Sequence, residues 1–342
     1  MKVIKCIGKI LCAGVVAVII LSGIMCFYSL MPLHHENYNE NTDYTYTPNS
    51  IWVKFTEGIS WGRFDSDGYN NPEVVNNPDI IVLGSSHMES VNVFFNESVS
   101  GRLKDMFKNR YTVYNMGISG HNFFKVCQYL PVNLGKYEIP PKIAIIETSN
   151  LWISKNNVEK VFKHEVEHTP SHDTGILAML QRVPFFRNIY QQIDGGLLNV
   201  FIPERENDRV DIDDEPYSIK ITIDETAYDQ LFKYLSDLEK EYGTQILIFN
   251  HPNGTLNEDG SISFDNGDTL KYFRIYAEKY NIDFIDMTKS FKEMYDNNHL
   301  LSHGFVTGKV GVGHLNANGH KAIANELYKV IERMEKEGLL CK

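Results

Sequence analysis

The sequence predicts an α/β fold, a doubly wound five-stranded parallel sheet, on three observations. Five short apolar runs follow one another along the chain, amphipathic stretches separate them, and residues able to do chemistry stand where the runs end. The runs are Asp79 to Gly84, Tyr111 to Met116, Lys142 to Glu147, Gln245 to Phe249 and Ile282 to Ile285. They are β-branched and nearly continuous, as strands buried on both faces should be. The connections are too long for hairpins, so the strands run parallel and helices cover both faces of the sheet.

Two of those helices are explicit in the pattern. Ala227, Leu231, Tyr234, Leu235, Leu238 and Tyr242 fall on one helical stripe, and Gly243 supplies a left-handed stop. Asn316 is a good cap for a last helix that turns Ala322, Ile323, Leu327, Val330, Ile331 and Met334 toward the core. The segment 151–224 is too long for a simple crossover and reads as an inserted cap over the carboxyl ends of the strands, where an open α/β sheet keeps its ligand. Its acidic patch, from Glu204 to Glu215, has the composition of a solvated loop.

The amino end is of another kind. Lys2, Lys5 and Lys9 precede an uncharged run from Ile10 to Leu33, long enough to cross the ~30 Å hydrocarbon core as a helix. The basic residues before it place the amino end in the cytoplasm and the body of the protein outside. Residues 1–36 are therefore expected to be a cytoplasmic tip and single-pass anchor, 37–60 a polar linker, and 61–340 the α/β domain. A cleaved signal peptide is the competing reading, against which stand the length of the run and the lack of an A-x-A-like site. A net charge of −11 disfavours nucleic acid as a partner, and three of the five cysteines lie in or beside the apolar run, so no disulfide framework is implied.

Four short motifs sit at the expected strand ends. Leu83-Gly84-Ser85-Ser86-His87 places a serine on a turn between strand and helix, exposed beside backbone N–H groups and the positive end of a helix dipole. Asn115-Met116-Gly117-Ile118-Ser119-Gly120 offers glycines where a backbone N–H can approach a reacting centre. Thr148-Ser149-Asn150 ends the third strand with an amide donor, and Gly313-His314-Leu315-Asn316 puts a histidine just before the last helix. Singly, each is as well explained by turn or cap chemistry.

In this order, the four resemble the sequence blocks of the SGNH (GDSL-like) hydrolase superfamily. The resemblance implies Ser86 as nucleophile, His314 as base, and Gly120 and Asn150 with the Ser86 backbone N–H as oxyanion donors. It extends over roughly Asp79 to Met334, the cap region apart, and implies no cofactor and no metal. That superfamily usually carries an aspartate three residues before the histidine, where this chain has Gly311. A backbone carbonyl of the Val310 to Gly313 loop or a carboxylate from elsewhere must then orient His314. His87, His121 and His251 stand beside the blocks and are candidates to line the pocket or bind substrate.

Membrane-tethered members similar to this chain include polysaccharide O-acetyltransferases and teichoic-acid D-alanylation proteins of the DltD type. That branch implies a cell-surface polysaccharide or other acylated polymer as substrate, with a multipass acyltransferase of the MBOAT type as partner. Two further readings stay open. The fold is compatible with a non-catalytic glycan-binding or assembly protein, which the glycine at 311 makes credible. His164-Glu165-Val166-Glu167-His168 matches the H-E-x-x-H zinc motif, although Thr169-Pro170-Ser171 breaks the helix that motif requires.

Overall fold

A computed structural model describes residues 2–32, 34–35, 45–108, 110–163, 183, 185–186, 223–264 and 267–340. The H-E-x-x-H segment, most of the expected cap and the first third of the expected linker lie outside the described residues.

The chain begins with helix α1 (Lys2–Tyr28), followed by β1 (Ser29–Leu30), β2 (His34–His35), β3 (Thr45–Tyr46), β4 (Ile51–Lys54) and β5 (Ser60–Arg63). The α/β body runs β6 (Ile80–Leu83), α2 (Ser86–Glu89), α3 (Val99–Phe107), β7 (Val113–Asn115), α4 (Phe123–Gly135), β8 (Ile143–Thr148) and α5 (Lys155–Lys163). After the undescribed stretch come α6 (Glu225–Tyr242), β9 (Gln245–Asn250), β10 (Thr255–Leu256), β11 (Ile262–Ser263), α7 (Gly267–Lys279), β12 (Asp283–Asp286) and α8 (Thr288–Asn298). The chain closes with β13 (His303–Gly304), β14 (Val310–Leu315) and α9 (Ala317–Lys336).

The central sheet has five strands in the order β12-β9-β8-β6-β7, each parallel to its neighbours. All five expected strands are present, and all of β6 and β8 is buried, as their continuous apolar composition requires. Counted in chain order from β6, the order is 2-1-3-4-5, so the sheet reverses direction between β6 and β8. Open α/β sheets hold ligands in the crevice above such a point. Ser86 follows β6 there.

One face of the sheet packs Phe123, Leu130, Leu231, Leu235 and Phe273 from α4, α6 and α7. The other packs Leu103, Phe107, Phe291, Ile323, Leu327 and Ile331 from α3, α8 and α9. Asn316 caps α9 by accepting the N–H groups of Asn318 and Gly319, and Gly243 ends α6 at φ +66°.

The expected linker is not a linker from residue 45 onward. β1, β4 and β5 form a three-stranded antiparallel sheet, with Ser29 opposite Lys54 and Leu30 opposite Val53. Tyr46, Trp52, Phe64 and Val91 make a small separate core beneath it. The alternation in Ile51 to Lys54 is too short to stand out among polar neighbours, yet it buries Trp52 to 1% exposure. The apolar run also does not stay helical to Leu33, because Ser29 and Leu30 leave α1 to pair with β4.

Candidate active site

The site is built at the carboxyl edge of the sheet. Gly84 leaves β6 where a side chain is impossible: a Cβ there would lie 2.3 Å from Glu147 Oε2 and 2.7 Å from Met88 Cγ. The chain then turns at once into α2, whose cap is the Ser85 hydroxyl, accepting the His87 N–H at 3.3 Å. Ser86 is the first residue of that helical turn, with its hydroxyl at the surface of the edge and its own N–H outside the helical ladder.

His314 reaches the same point from β14. Its Nε2 is 2.9 Å from Ser86 Oγ, and its Nδ1 is 2.8 Å from Glu57 Oε2. The other oxygen of Glu57 accepts the His314 backbone N–H at 2.8 Å. A carboxylate therefore reaches His314 from elsewhere in the chain, from the turn between β4 and β5. At residue 311 a glycine at φ +81° fits the backbone of the β13–β14 hairpin. Burial works against the Glu57 charge, but the ring and backbone hydrogen bonds from His314, with its charge and that of Lys54, outweigh it and hold the carboxyl down at about 2. An ionised Glu57 keeps the His314 proton on Nδ1, so the Nε2 lone pair faces the Ser86 hydroxyl.

Three groups stand as candidate oxyanion donors: the N–H of Ser86, the N–H of Gly120 and Nδ2 of Asn150. Gly120 adopts φ +84° in an exposed turn after β7, a conformation open to glycine. Asn150 is held by its own Oδ1, which accepts the Trp152 N–H at 2.8 Å, and by the Thr148 hydroxyl, which donates to its carbonyl at 2.7 Å. That leaves its Nδ2 without a hydrogen bond among the described residues. Asn150 lines a narrow cleft of about 20 Å³ with Ser85, His121, Phe124, Glu147 and Thr148.

The three neighbouring histidines are differently placed from what their sequence positions suggest. His251 is buried beneath the Ser85–Ser86 turn, its Nε2 2.7 Å from Glu147 Oε1 and its Nδ1 3.3 Å from His303 Nε2. It touches the wall under the site rather than the space above it, so it is not placed to bind substrate. His87 accepts the Leu315 N–H on Nδ1 at 3.2 Å and packs its ring 4.5 Å from that of His251 and 5.2 Å from that of His314. It braces the turn against β14. His121 alone lines the cleft, its ring stacked on Tyr129.

Two further residues carry no sequence signal. Glu147, at the end of β8, accepts the Ser85 N–H at 2.6 Å and the Ser85 hydroxyl at 2.9 Å, and so pins the turn that presents Ser86. His303 continues the chain from His251 to the Ser302 hydroxyl at 2.9 Å. Burial lowers His251 and His303 to about 3 and raises Glu147, so both imidazoles are neutral. Ring nitrogens of His87, His251 and His303 lie within 4.8 Å of one another, near enough to hold a metal ion. Hydrogen bonds from Ser302 through His303 and His251 to Glu147 satisfy the two buried rings without one.

No family model matches the chain, and no curated protein matches it. Among solved structures, it is similar to the acetyl xylan esterase AlAXEase, with 15% identity, 74% of this chain and 99% of the other covered, and a TM-score of 0.38. It is also similar to the psychrotrophic esterase EstA from Pseudoalteromonas sp. (12% identity, 77% and 100% covered, TM-score 0.38). A third is a member of the lipolytic protein G-D-S-L family from Veillonella parvula DSM 2008 (13% identity, 74% and 98% covered, TM-score 0.39).

Proposed function

We propose that this chain is a membrane-anchored, extracytoplasmic serine esterase or O-acyltransferase acting on acyl groups of a cell-envelope polymer. The observation that carries the reading is the chain of contacts from Ser86 Oγ to His314 Nε2 at 2.9 Å and from His314 Nδ1 to Glu57 Oε2 at 2.8 Å. A hydroxyl, an imidazole and a carboxylate in that sequence form an activated nucleophile.

In the reaction, His314 Nε2 takes the Ser86 proton as Oγ attacks an ester carbonyl, and Glu57 stabilises the imidazolium. The oxyanion is met by the N–H groups of Ser86 and Gly120 and by Asn150 Nδ2. His314 returns the proton to the leaving alcohol, leaving an acyl-serine. Water or a sugar hydroxyl then gives up its proton to His314 and takes the acyl group, and His314 passes that proton to Ser86 Oγ as the acyl–serine bond breaks. The apolar stretch Ile7–Ile24, none of it buried in the folded chain, supports the anchor. With the domain outside, thioester donors of the cytoplasm are out of reach, so a transferase would draw on a multipass acyltransferase of the MBOAT type.

The test is labelling with a fluorophosphonate, which needs an activated serine. Wild-type protein is expected to label, and Ser86→Ala to lose the label while keeping its melting temperature. A well-folded wild-type chain that does not label would favour a glycan-binding or assembly protein on the same fold.

A further inference from the structure

The path from α1 into the domain fixes where the proposed active site stands relative to a membrane. Ser29 follows the last residue of α1 and pairs directly with Lys54 of β4. Partners across an antiparallel pair lie about 4.5–5.5 Å apart, and the three residues from Lys54 to Glu57 span at most about 11 Å. Glu57 therefore stands within about 16 Å of the first residue beyond the helix. Glu57 holds His314, and His314 holds Ser86. A long tether would let the catalytic edge face anywhere, whereas a three-stranded sheet that begins at the helix end keeps that edge beside the bilayer.

The side chains around this corner suit such a neighbour. Ile51, Ile59 and Trp61 on or beside β4 and β5 are 54%, 57% and 56% exposed. The β13–β14 hairpin adds Val306 at 95%, Val310 at 66% and Val312 at 57%. The hairpin is fastened to the Glu57 turn, where the Gly58 N–H donates to Thr307 Oγ1 at 2.9 Å, so both groups of apolar residues flank the same triad. The exposed cations Arg63 and Lys309 stand beside them in the chain. Exposed aliphatic side chains, a tryptophan more than half exposed while its ring meets Phe55 and Phe94, and scattered cations are what a surface resting on lipid headgroups carries.

We infer that this face lies on the bilayer, so that Ser86 opens at the headgroup level and takes its acyl group from an amphiphile resident in the membrane. The inference rests on the reading of Ser86 as nucleophile and of α1 as an uncleaved span. A membrane protein covering the same patch is the rival occupant, and lipid alone is therefore the right probe.

The full chain is to be placed in nanodiscs of phosphatidylcholine and phosphatidylglycerol, with and without lipids brominated near the headgroup end of the acyl chain. The emission of Trp61 is read as the difference between wild type and Trp61→Phe. Brominated lipid is expected to quench that difference by at least half. An unquenched Trp61 in a chain that copurifies with the disc overturns the inference and leaves the patch to a protein partner. Loss of residues 1–28, read by intact mass, overturns it through its anchor premise. In a second measurement, Val306→Asp combined with Val310→Asp is expected to lower the ratio of vesicle-borne to water-soluble ester hydrolysis at least tenfold, and an unchanged ratio counts against lipid contact. Fluorophosphonate labelling of Ser86 in detergent reports separately on the enzyme reading, because it needs no bilayer.

Discussion

Replacing Glu57 by glutamine probes the triad at the point where this chain departs from the usual pattern. The carboxylate accepts two N–H groups of one residue, the backbone N–H of His314 on Oε1 and ring Nδ1 on Oε2, each at 2.8 Å. An amide has one accepting oxygen and one donating NH2. If the oxygen serves the backbone, the NH2 faces Nδ1, the ring proton moves to Nε2, and that proton then points at Ser86 Oγ where a lone pair is needed. If the amide flips, its NH2 meets the backbone N–H, donor against donor. A wrong tautomer costs about 10⁴ in kcat in a fully buried triad. Here the His314 and Glu57 side chains are 27% and 25% exposed. Water can compensate part of the loss, so a fall of about 10²–10³ is expected, or about 2.7–4 kcal/mol at 1.36 kcal/mol per tenfold. The assay is hydrolysis of a water-soluble acetyl ester, with kcat and KM separated and a melting curve as control for folding. The drop belongs in kcat. A Glu57→Gln protein within threefold of wild type would refute the assignment of Glu57 as the orienting acid.

Trp52→Ala should cost about 3–5 kcal/mol, lowering the melting temperature by roughly 10 °C, because Trp52 fills the small core under β4 and β5. Activity should fall with it, since β4 leads into Glu57, and a melting temperature unchanged within 2 °C would show that this core contributes nothing. Acid should destabilise the protein through His251 and His303, whose folded values of about 3 lie below the ordinary 6.5. Between those values the unfolded chain binds more protons, so stability falls as pH falls, by about 2 kcal/mol per histidine at pH 5. Glu147, raised by burial, acts in the opposite sense and offsets part of this. His303→Asn should therefore lose less stability between pH 7 and pH 5 than wild type, read from urea midpoints, and an identical loss would mean that His303 is not buried neutral.

The sheet was legible because strands buried on both faces have no polar positions to confuse the pattern. Ile80 to Leu83 and Ile143 to Ile146 admit no other reading once turn residues bound them. The meeting of Ser86 with His314 was legible in their place at strand and hairpin ends. Glu57 was not, since it lies 29 positions before Ser86 and 257 before His314 in a stretch whose strands are four residues long. A glutamate before a glycine has no period and no spacing to mark it. The pairing that brings it to the site depends on Trp52 and Phe64 packing against Val91, a long-range contact that no local pattern encodes. His251 misled for the converse reason. Its place at the end of β9 matches that of a site residue, but its side chain turns down toward Glu147.

Placing the acid on the β4–β5 turn has a consequence for the whole chain. In a single-loop arrangement, acid and base share one hairpin and the domain from β6 onward carries the complete triad. Here Ser86 and His314 belong to that domain, while Glu57 belongs to the segment that pairs with the residues emerging from α1. The geometry of His314 therefore depends on β4 and β5 being seated, and β4 is seated between β5 and β1, the strand that leaves the helix. Any force that pulls Ser29 and Leu30 away from Lys54 and Val53 acts on the Glu57 turn three residues further on, and through it on the tautomer of the base. On the proposed reading, one short antiparallel sheet couples anchor and catalysis.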